Sequence, residues 1–324
     1  MKFKAAIKGI LRPVRDFIFS INGFAYDFSR YFRYGGWRNR ARFAARDYKA
    51  VKIYHRLEKS LSFRDRNAGS GMVAARDLMN HLAKALHAKN DITYHEKIGF
   101  KVLGDYVDAA RAEIQQSDIA KFDQHYRQHR HASGGIVDLT LGELQSGRLP
   151  DPEAFFHSRS TVRDFAPTPV PQSVIERALG LALKSPSVCN RQASYVYSLH
   201  SRREIDLALS LQNGNRGFGH EIPCLLILCA DLTAFDTAGE RYQHWIDGGM
   251  FSMSMVWALH SLGYSSCCLN WSKTPRDDRK IRKLLPIKAE HSILMMLGVG
   301  LPRDNIKACY SARKPVSEYL EIIS

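Results

Sequence analysis

CLLILCA, residues 224–230, is an unbroken apolar run of strand length. A strand with one wet face alternates apolar and polar residues, whereas a strand covered on both faces carries no polar positions. The run therefore predicts a central strand with helices on either side. Its neighbours agree. YVYSL (195–199) reads as a short strand, and SSCCL (265–269) and SILMMLGVG (292–300) read as further buried strands. Cys267 and Cys268 are expected to pack inside that strand rather than act as a redox pair. FSMSMVWALHSLG (251–263) is a largely apolar helix ending at Gly263, which places Met253, Met255 and Trp257 in the core or a subunit interface. Pro171 opens another helix, with Val174, Ile175, Ala178, Leu179 and Ala182 on its apolar face and an end before Ser185–Pro186. Helices alternating with apolar strands predict an α/β (α+β) fold, a layered sheet flanked by helices.

Upstream the texture changes, and a boundary falls near residue 150. Residues 1–150 read as a basic, mostly helical N-terminal extension, and 151–324 as the α/β domain. Met72, Leu78, Met79, Leu82 and Leu86 recur at helical spacing, as do Ile98, Val102, Tyr106, Ala109, Ala110 and Ile114. Residues 1–60 mix arginines with aromatics, among them Phe17, Phe24, Phe28, Phe32 and Trp37.

The 324 residues suffice for two domains of ordinary size. No run reaches the ~18 apolar residues a spanning helix needs, and Arg12 and Arg15 interrupt the N-terminus too early for a secretory signal. The six cysteines form no C-x-x-C pair, which points to a reduced, cytoplasmic chain without a zinc framework. The net charge of +15 is concentrated: residues 1–66 hold 17 Lys/Arg against 5 Asp/Glu, and the remainder is close to neutral. A whole-chain argument for nucleic-acid binding therefore fails. The arm has three readings: wrapping the catalytic domain or a dimer partner, lying on a membrane surface, and, ranked last, contacting nucleic acid.

SRSTVRDF (158–165) concentrates anion-seeking groups in one turn. Arg159 and Arg163 offer planar bidentate donors, Ser160 and Thr161 offer hydroxyls, and a turn exposes backbone N–H groups. The bland alternative is a solvated basic turn capping a helix.

From here the sequence resembles the nitroreductase family of FMN-dependent flavoenzymes. RSTVRDF (159–165), PTPVP (167–171) and SPSVCNRQ (185–192) follow one another in the family's order and at family-like spacings, over roughly residues 150–324. The resemblance implies that Arg159, Ser160, Thr161 and Arg163 contact the phosphate and ribityl chain of FMN. It implies that Pro186, Ser187 and Asn190 lie beside the isoalloxazine ring, contributed by the partner subunit. Asn215, ten residues ahead of LLILCA, matches a pyrimidine-binding Asn, and Arg313 matches a C-terminal Arg that closes on the phosphate. Ser311 stands where the family often has Lys, with Lys314 as a substitute charge. Gln192–Ala193–Ser194 replaces Q-P-W. Asn270–Trp271 replaces a Gly-Gly pair, which puts Asn270 at the cofactor and an indole where it would narrow the pocket or stack on a substrate.

The resemblance further implies a homodimer with two interfacial flavins. It would take hydride from NAD(P)H through flavin N5 and pass it to an organic acceptor, a nitro, quinone or enone-like compound. No protein side chain is nominated as catalytic. One alternative is a non-catalytic flavin-binding or scaffold protein docked to a membrane assembly by its basic arm. Another is an enzyme that consumes its own flavin or removes substituents reductively. Asp247 and His244 are read as facing the active site or lying apart from it. The histidines of DQHYRQHRH (123–131) are read as a solvated linker in preference to metal ligands, so no metal is expected.

Overall fold

The computed structural model describes residues 2–38, 42–67, 69–88, 91–112, 114, 126–129 and 134–323. Four helices come first: α1 (Lys2–Tyr34), α2 (Phe43–Ser62), α3 (Met72–Leu86) and α4 (Tyr94–Ala109). The short helices α5 (Leu141–Gln145) and α6 (Pro152–Ser158) lead into α7 (Gln172–Ala182), β1 (Ser194–Leu199), α8 (Arg202–Leu209), β2 (Cys224–Asp231), α9 (Gln243–Ser261), β3 (Ser265–Asn270), α10 (Pro275–Leu284) and β4 (His291–Gly300).

The strands form one antiparallel sheet in the order β1-β2-β4-β3. Every residue of β2 is buried, as its unbroken apolar run requires. Leu226 and Leu228 pack with Ala178 and Ala182 of α7 and with Met255 and Leu259 of α9. On the opposite face Leu225, Ile227 and Cys229 meet Ile205 and Leu209 of α8 and Ile281 of α10. Helices on both faces of one sheet make a three-layer arrangement.

Two sequence expectations change in detail. Helix α9 starts eight residues before Phe251, because polar and small residues (Gln243, Asp247, Gly248) disguise its first turns. Gly248 permits that approach, since a Cβ there would lie 2.2 Å from Cδ1 of Leu294. In β3 only Cys267 is packed as expected; Cys268 is exposed. β3 is an edge strand with an open outer face, and successive side chains on a strand point to opposite sides.

The N-terminal helices have a core of their own, built from Tyr54 and Leu57 (α2), Leu78 and Leu82 (α3), and Phe100 and Tyr106 (α4). α4 opens with a reciprocal capping box between Thr93 and Glu96. Glu96 also accepts two hydrogen bonds from the Arg46 guanidinium, at 3.0 and 2.7 Å, and meets His81 Nε2 at 3.1 Å. Burial alone would raise its pKa, but these three partners outweigh burial and hold it at about 2.

Polar contacts join this extension to the sheet. Tyr26 donates to Asp278 Oδ2 at 2.7 Å, and Arg30 Nη2 donates to the His291 carbonyl at 3.0 Å. Tyr31 donates to the Thr237 carbonyl at 2.7 Å, and Tyr48 to Asp231 at 3.2 Å. Tyr26, Arg30, Tyr31 and Tyr48 thus hold the extension against the sheet segment, with Tyr31 also packed beside Leu232 and Phe235, while Phe17, Ile18, Ile21, Phe24, Phe28 and Phe32 of α1 face outward.

Candidate functional site

The anion-seeking turn begins where α6 ends, with Arg159 extended at φ −71°, ψ 113°. The chain then runs beside the edge strand: Thr161 bridges Ser266 in parallel, and Val162 N donates to the Ser266 carbonyl at 3.2 Å. Val162 and Phe165 are buried and anchor the segment, which leaves Ser160 and Arg163 exposed and Arg159 half-buried. Arg159 and Ser160 line a cleft of about 400 Å³ with Ser265, Ser266, His260 and Ile306. His260 is held at its rim by Ser158, 3.0 Å from Nε2. Arg163 lies over the Phe218 ring at 5.8 Å and makes only a weak 3.6 Å contact to Cys309 Sγ. Neither arginine has an acidic partner among the described residues. The Arg159 guanidinium beside Ser160, Ser265 and Ser266 suits an anion, whereas Arg163 does not line this cleft and points to Phe218 and Cys309.

The outer face of β3 carries the site away from this turn. Cys268 and Asn270 are open on it, and Ser266 to Asn270 spans ~13 Å at strand rise. At the far end the Asn270 carbonyl accepts from Gln212 Nε2 at 3.2 Å. The Asn215 amide donates to the carbonyls of Leu209 and Gln212, both at 2.9 Å, and to Gln212 Oε1 at 3.1 Å. Its donors are therefore spent on its own loop. Lys273 reaches Asn213 Oδ1 at 2.8 Å, placing a cation at the same end. Sequence reasoning passed over Gln212 and Lys273; the only signal was their nearness in sequence to Asn215 and Asn270. Trp271 is half-buried against the core and donates Nε1 to Asp278 at 3.2 Å, which fixes the indole.

The loop with Pro186, Ser187 and Asn190 is built with backbone strain. Cys189, Asn190 and Gln192 have φ of 50°, 53° and 52°, in the left-handed region that L residues seldom adopt. Asp247 accepts from Val188 N at 3.1 Å and from Gln243 Nε2 at 2.8 Å; Gln192 N donates to Ser187 Oγ at 3.0 Å. Beneath the loop Arg191 is wholly buried, donating to the Ala234 carbonyl at 2.6 Å and pairing with Glu240 at 2.8 Å. Burial would raise the Glu240 pKa, but Arg191, the Asp236 N–H and Lys52 bring it down to about 2. Arg191 is the loop's main support, a role that sequence reasoning did not assign to it. The loop meets α9 at Asp247 and the turn meets it at His260, so helix rise separates them by about 20 Å. One protomer does not bring Pro186, Ser187 and Asn190 to Arg159.

Arg313 sits on an exposed tail and donates to the Ser311 and Ala312 carbonyls beside it. The tail passes the cleft earlier, at Ile306 and Ala308, and Lys314 pairs with Glu318 at 3.7 Å. His244 lies apart from the groove, in a cavity of about 300 Å³ against α1 with Phe24, Arg30 and Trp245. Burial, with Arg30 adding to it, lowers its pKa to about 4. Of the expected histidine linker, residues 125 and 131 lie outside the described residues, and His129 packs on Phe100 at 4.8 Å. Among the described residues no group of three His, Cys, Asp or Glu could hold a metal.

The nitroreductase family model matches residues 157–210 and 199–301, the part of the chain that carries the turn, the groove and the strained loop. Solved structures similar to this half include an FMN-dependent nitroreductase from Clostridium difficile R20291, at 16% identity, covering 53% of this chain and 98% of that one with a TM-score of 0.45. A nitroreductase-like protein from Streptococcus mutans is 21% identical, covering 52% and 96% with a TM-score of 0.45. A BluB-like flavoprotein from Clostridium difficile 630 is 18% identical, covering 54% and 99% with a TM-score of 0.44. No curated protein matches the chain.

Proposed function

We propose that this protein is an FMN-dependent oxidoreductase, active as a homodimer, that takes hydride from NAD(P)H and passes it to an organic acceptor such as a nitro, quinone or enone-like compound. One observation carries the reading: a ~13 Å open strand face has Arg159, without an acidic partner among the described residues, at one end and an amide-and-lysine cluster at the other. That suits an elongated ligand with an anionic tip and a hydrogen-bonding head. The family match over 157–301 supports FMN as that ligand. When bound, FMN supplies two-electron, hydride-exchanging chemistry at N5.

The chain's own residues bind and orient. Arg159 and Arg163 hold the phosphate, with Ser160 and Thr161 on the adjoining chain. Asn270, Gln212 and Lys273 flank the ring, and a cation at that edge stabilises negative charge gathering on the reduced ring. Asn215 holds the loop that carries Gln212. Pro186, Ser187 and Asn190 reach the ring from the partner subunit, a role supported by their distance from the turn within one protomer. Exposed Trp245, Ile246, Met250 and Met253 along α9 support a subunit interface there. The exposed tail would bring Arg313 to a phosphate only once a second copy covers it. We place the protein in the cytoplasm, a reading its six free thiols support.

The test is the absorbance spectrum of the purified protein, followed by anaerobic addition of NAD(P)H. The expected result is a flavin spectrum that bleaches and returns when an acceptor is added. Protein that is colourless and fails to bind added FMN overturns the proposal. The full commitment of the Asn215 donors within its own loop favours a second reading, flavin held without turnover; bound flavin that NAD(P)H leaves unbleached would establish it.

A further inference from the structure

Helix α1 is mounted with its polar side inward. Tyr26 and Arg30 face the body and bind Asp278 and the His291 carbonyl. Phe17, Ile21, Phe24, Phe28 and Phe32 recur at three- and four-residue steps on the other face, with Ile18 beside them, and all six are 49–73% exposed. In the sequence alone the same period runs back through Ile7, Ile10 and Leu11. The 33-residue helix extends about 50 Å, and among the described residues Phe17, Ile18, Ile21, Phe24, Phe28 and Phe32 remain exposed. Cations border the stripe: Arg33 is exposed, Arg38 lies over the Phe32 ring at 5.2 Å, and Arg241 lies over Tyr242 at 4.5 Å. Tyr242 extends the aromatic surface across the cavity that Phe24 and Phe28 share with it.

We propose that α1 lies in the plane of an anionic lipid surface. Its Phe and Ile face would sit at the headgroup–acyl boundary, and the bordering guanidiniums would meet lipid phosphates. Charge selects this occupant. Residues 2–34, the span of α1, carry 7 Lys/Arg against 2 Asp/Glu, so a second copy of α1 would set one surplus against another, whereas an anionic bilayer complements it. A single convex helix with cationic borders also suits a plane better than a groove-forming partner. The helix lies on the bilayer and does not cross it, since no helix among the described residues is long and apolar enough to span. This inference is tested apart from the flavin reading, because the exposed apolar residues it invokes do not line the cleft at Arg159.

The experiment is co-sedimentation of the full-length protein with phosphatidylcholine vesicles, with and without phosphatidylglycerol. Binding is expected only to the anionic vesicles and should weaken as salt rises. Phe17→Asp with Phe24→Asp should lower partitioning by about tenfold or more, each ring contributing its transfer free energy, at unchanged flavin content and melting temperature. Arg33→Glu with Arg38→Glu should lower it on anionic vesicles. Three results overturn the proposal: no binding to either vesicle, equal binding by the Phe17/Phe24 variant, or a wild-type dimer that this variant splits into monomers.

Discussion

The sheet and the N-terminal helices are attached to the same body by opposite means. β2 is buried on both faces by apolar side chains from α7, α8, α9 and α10. α1 and α2 are joined to that body by Tyr26, Arg30, Tyr48 and Lys52 on carboxylates and carbonyls and by one small apolar contact, in which Tyr31 and Trp37 pack with Leu232 and Phe235; Phe17, Ile21, Phe24, Phe28 and Phe32 of α1 point away. Apolar burial is non-directional and scales with area. A polar joint is directional, depends on charge state and weakens when water or ions compete. The difference teaches that apolar content alone does not locate a core: β2 uses its apolar residues for cohesion, and α1 leaves its own free.

The contrast can be broken most forcefully inside the helical extension. Glu96→Ala should destabilise by about 3–5 kcal/mol, because it leaves the Arg46 guanidinium buried without its partner; chemical denaturation measures this, and a loss below about 1 kcal/mol would show the pair to be solvated. Leu226→Ala in β2 should cost about 2–5 kcal/mol through the cavity it leaves. In the groove, Arg159→Ala or Arg163→Ala should weaken FMN binding by about 1.5–3 kcal/mol, the scale of a charge-assisted hydrogen bond, with the melting temperature of the apoprotein unchanged. Titration calorimetry reads it, and unaltered affinity in both would put the phosphate elsewhere.

Acid sharpens the comparison further. Glu96 and Glu240 have folded pKa values of about 2 against an ordinary 4.5. Their contribution is complete above 4.5 and disappears as pH falls through 2. His244 titrates at about 4 instead of 6.5, so the unfolded chain takes up its proton first and stability declines as pH drops from 6.5 to 4. A melting-temperature profile should fall across both windows, flattening below 4.5 in Glu240→Gln and between 6.5 and 4 in His244→Phe. The smallest effect belongs to the stripe: Phe24→Ser should change stability by no more than about 0.5 kcal/mol, and a larger loss would mean that the ring packs inward.

Much of this was legible along the chain. CLLILCA announces a strand buried on both faces, because such a strand has no polar positions at all. RSTVR reads as a candidate anion turn, with a solvated basic cap as the alternative, and the structure places its Arg159 without an acidic partner among the described residues, at the rim of a cleft. Three features resisted reading because partners distant in sequence decide them. The exposure of Cys268 follows from the edge position of β3, which only strand order determines. The buried role of Arg191 depends on Glu240, 49 residues away. The outward face of α1 depends on Asp278, 252 residues beyond Tyr26. For Arg313 the local sequence shows a basic residue in a tail, and in the structure it donates only to the neighbouring Ser311 and Ala312 carbonyls.

Asp278 has one further consequence. A single carboxylate receives Tyr26 from α1 at 2.7 Å, Arg282 at 2.9 Å and the Trp271 indole at 3.2 Å. Unseating the long helix withdraws one of these donors and obliges the remaining two to share the oxygens anew. The seat of the amphipathic arm and the tilt of the indole at the groove's end are therefore a single mechanical coordinate, and tryptophan emission is its built-in gauge.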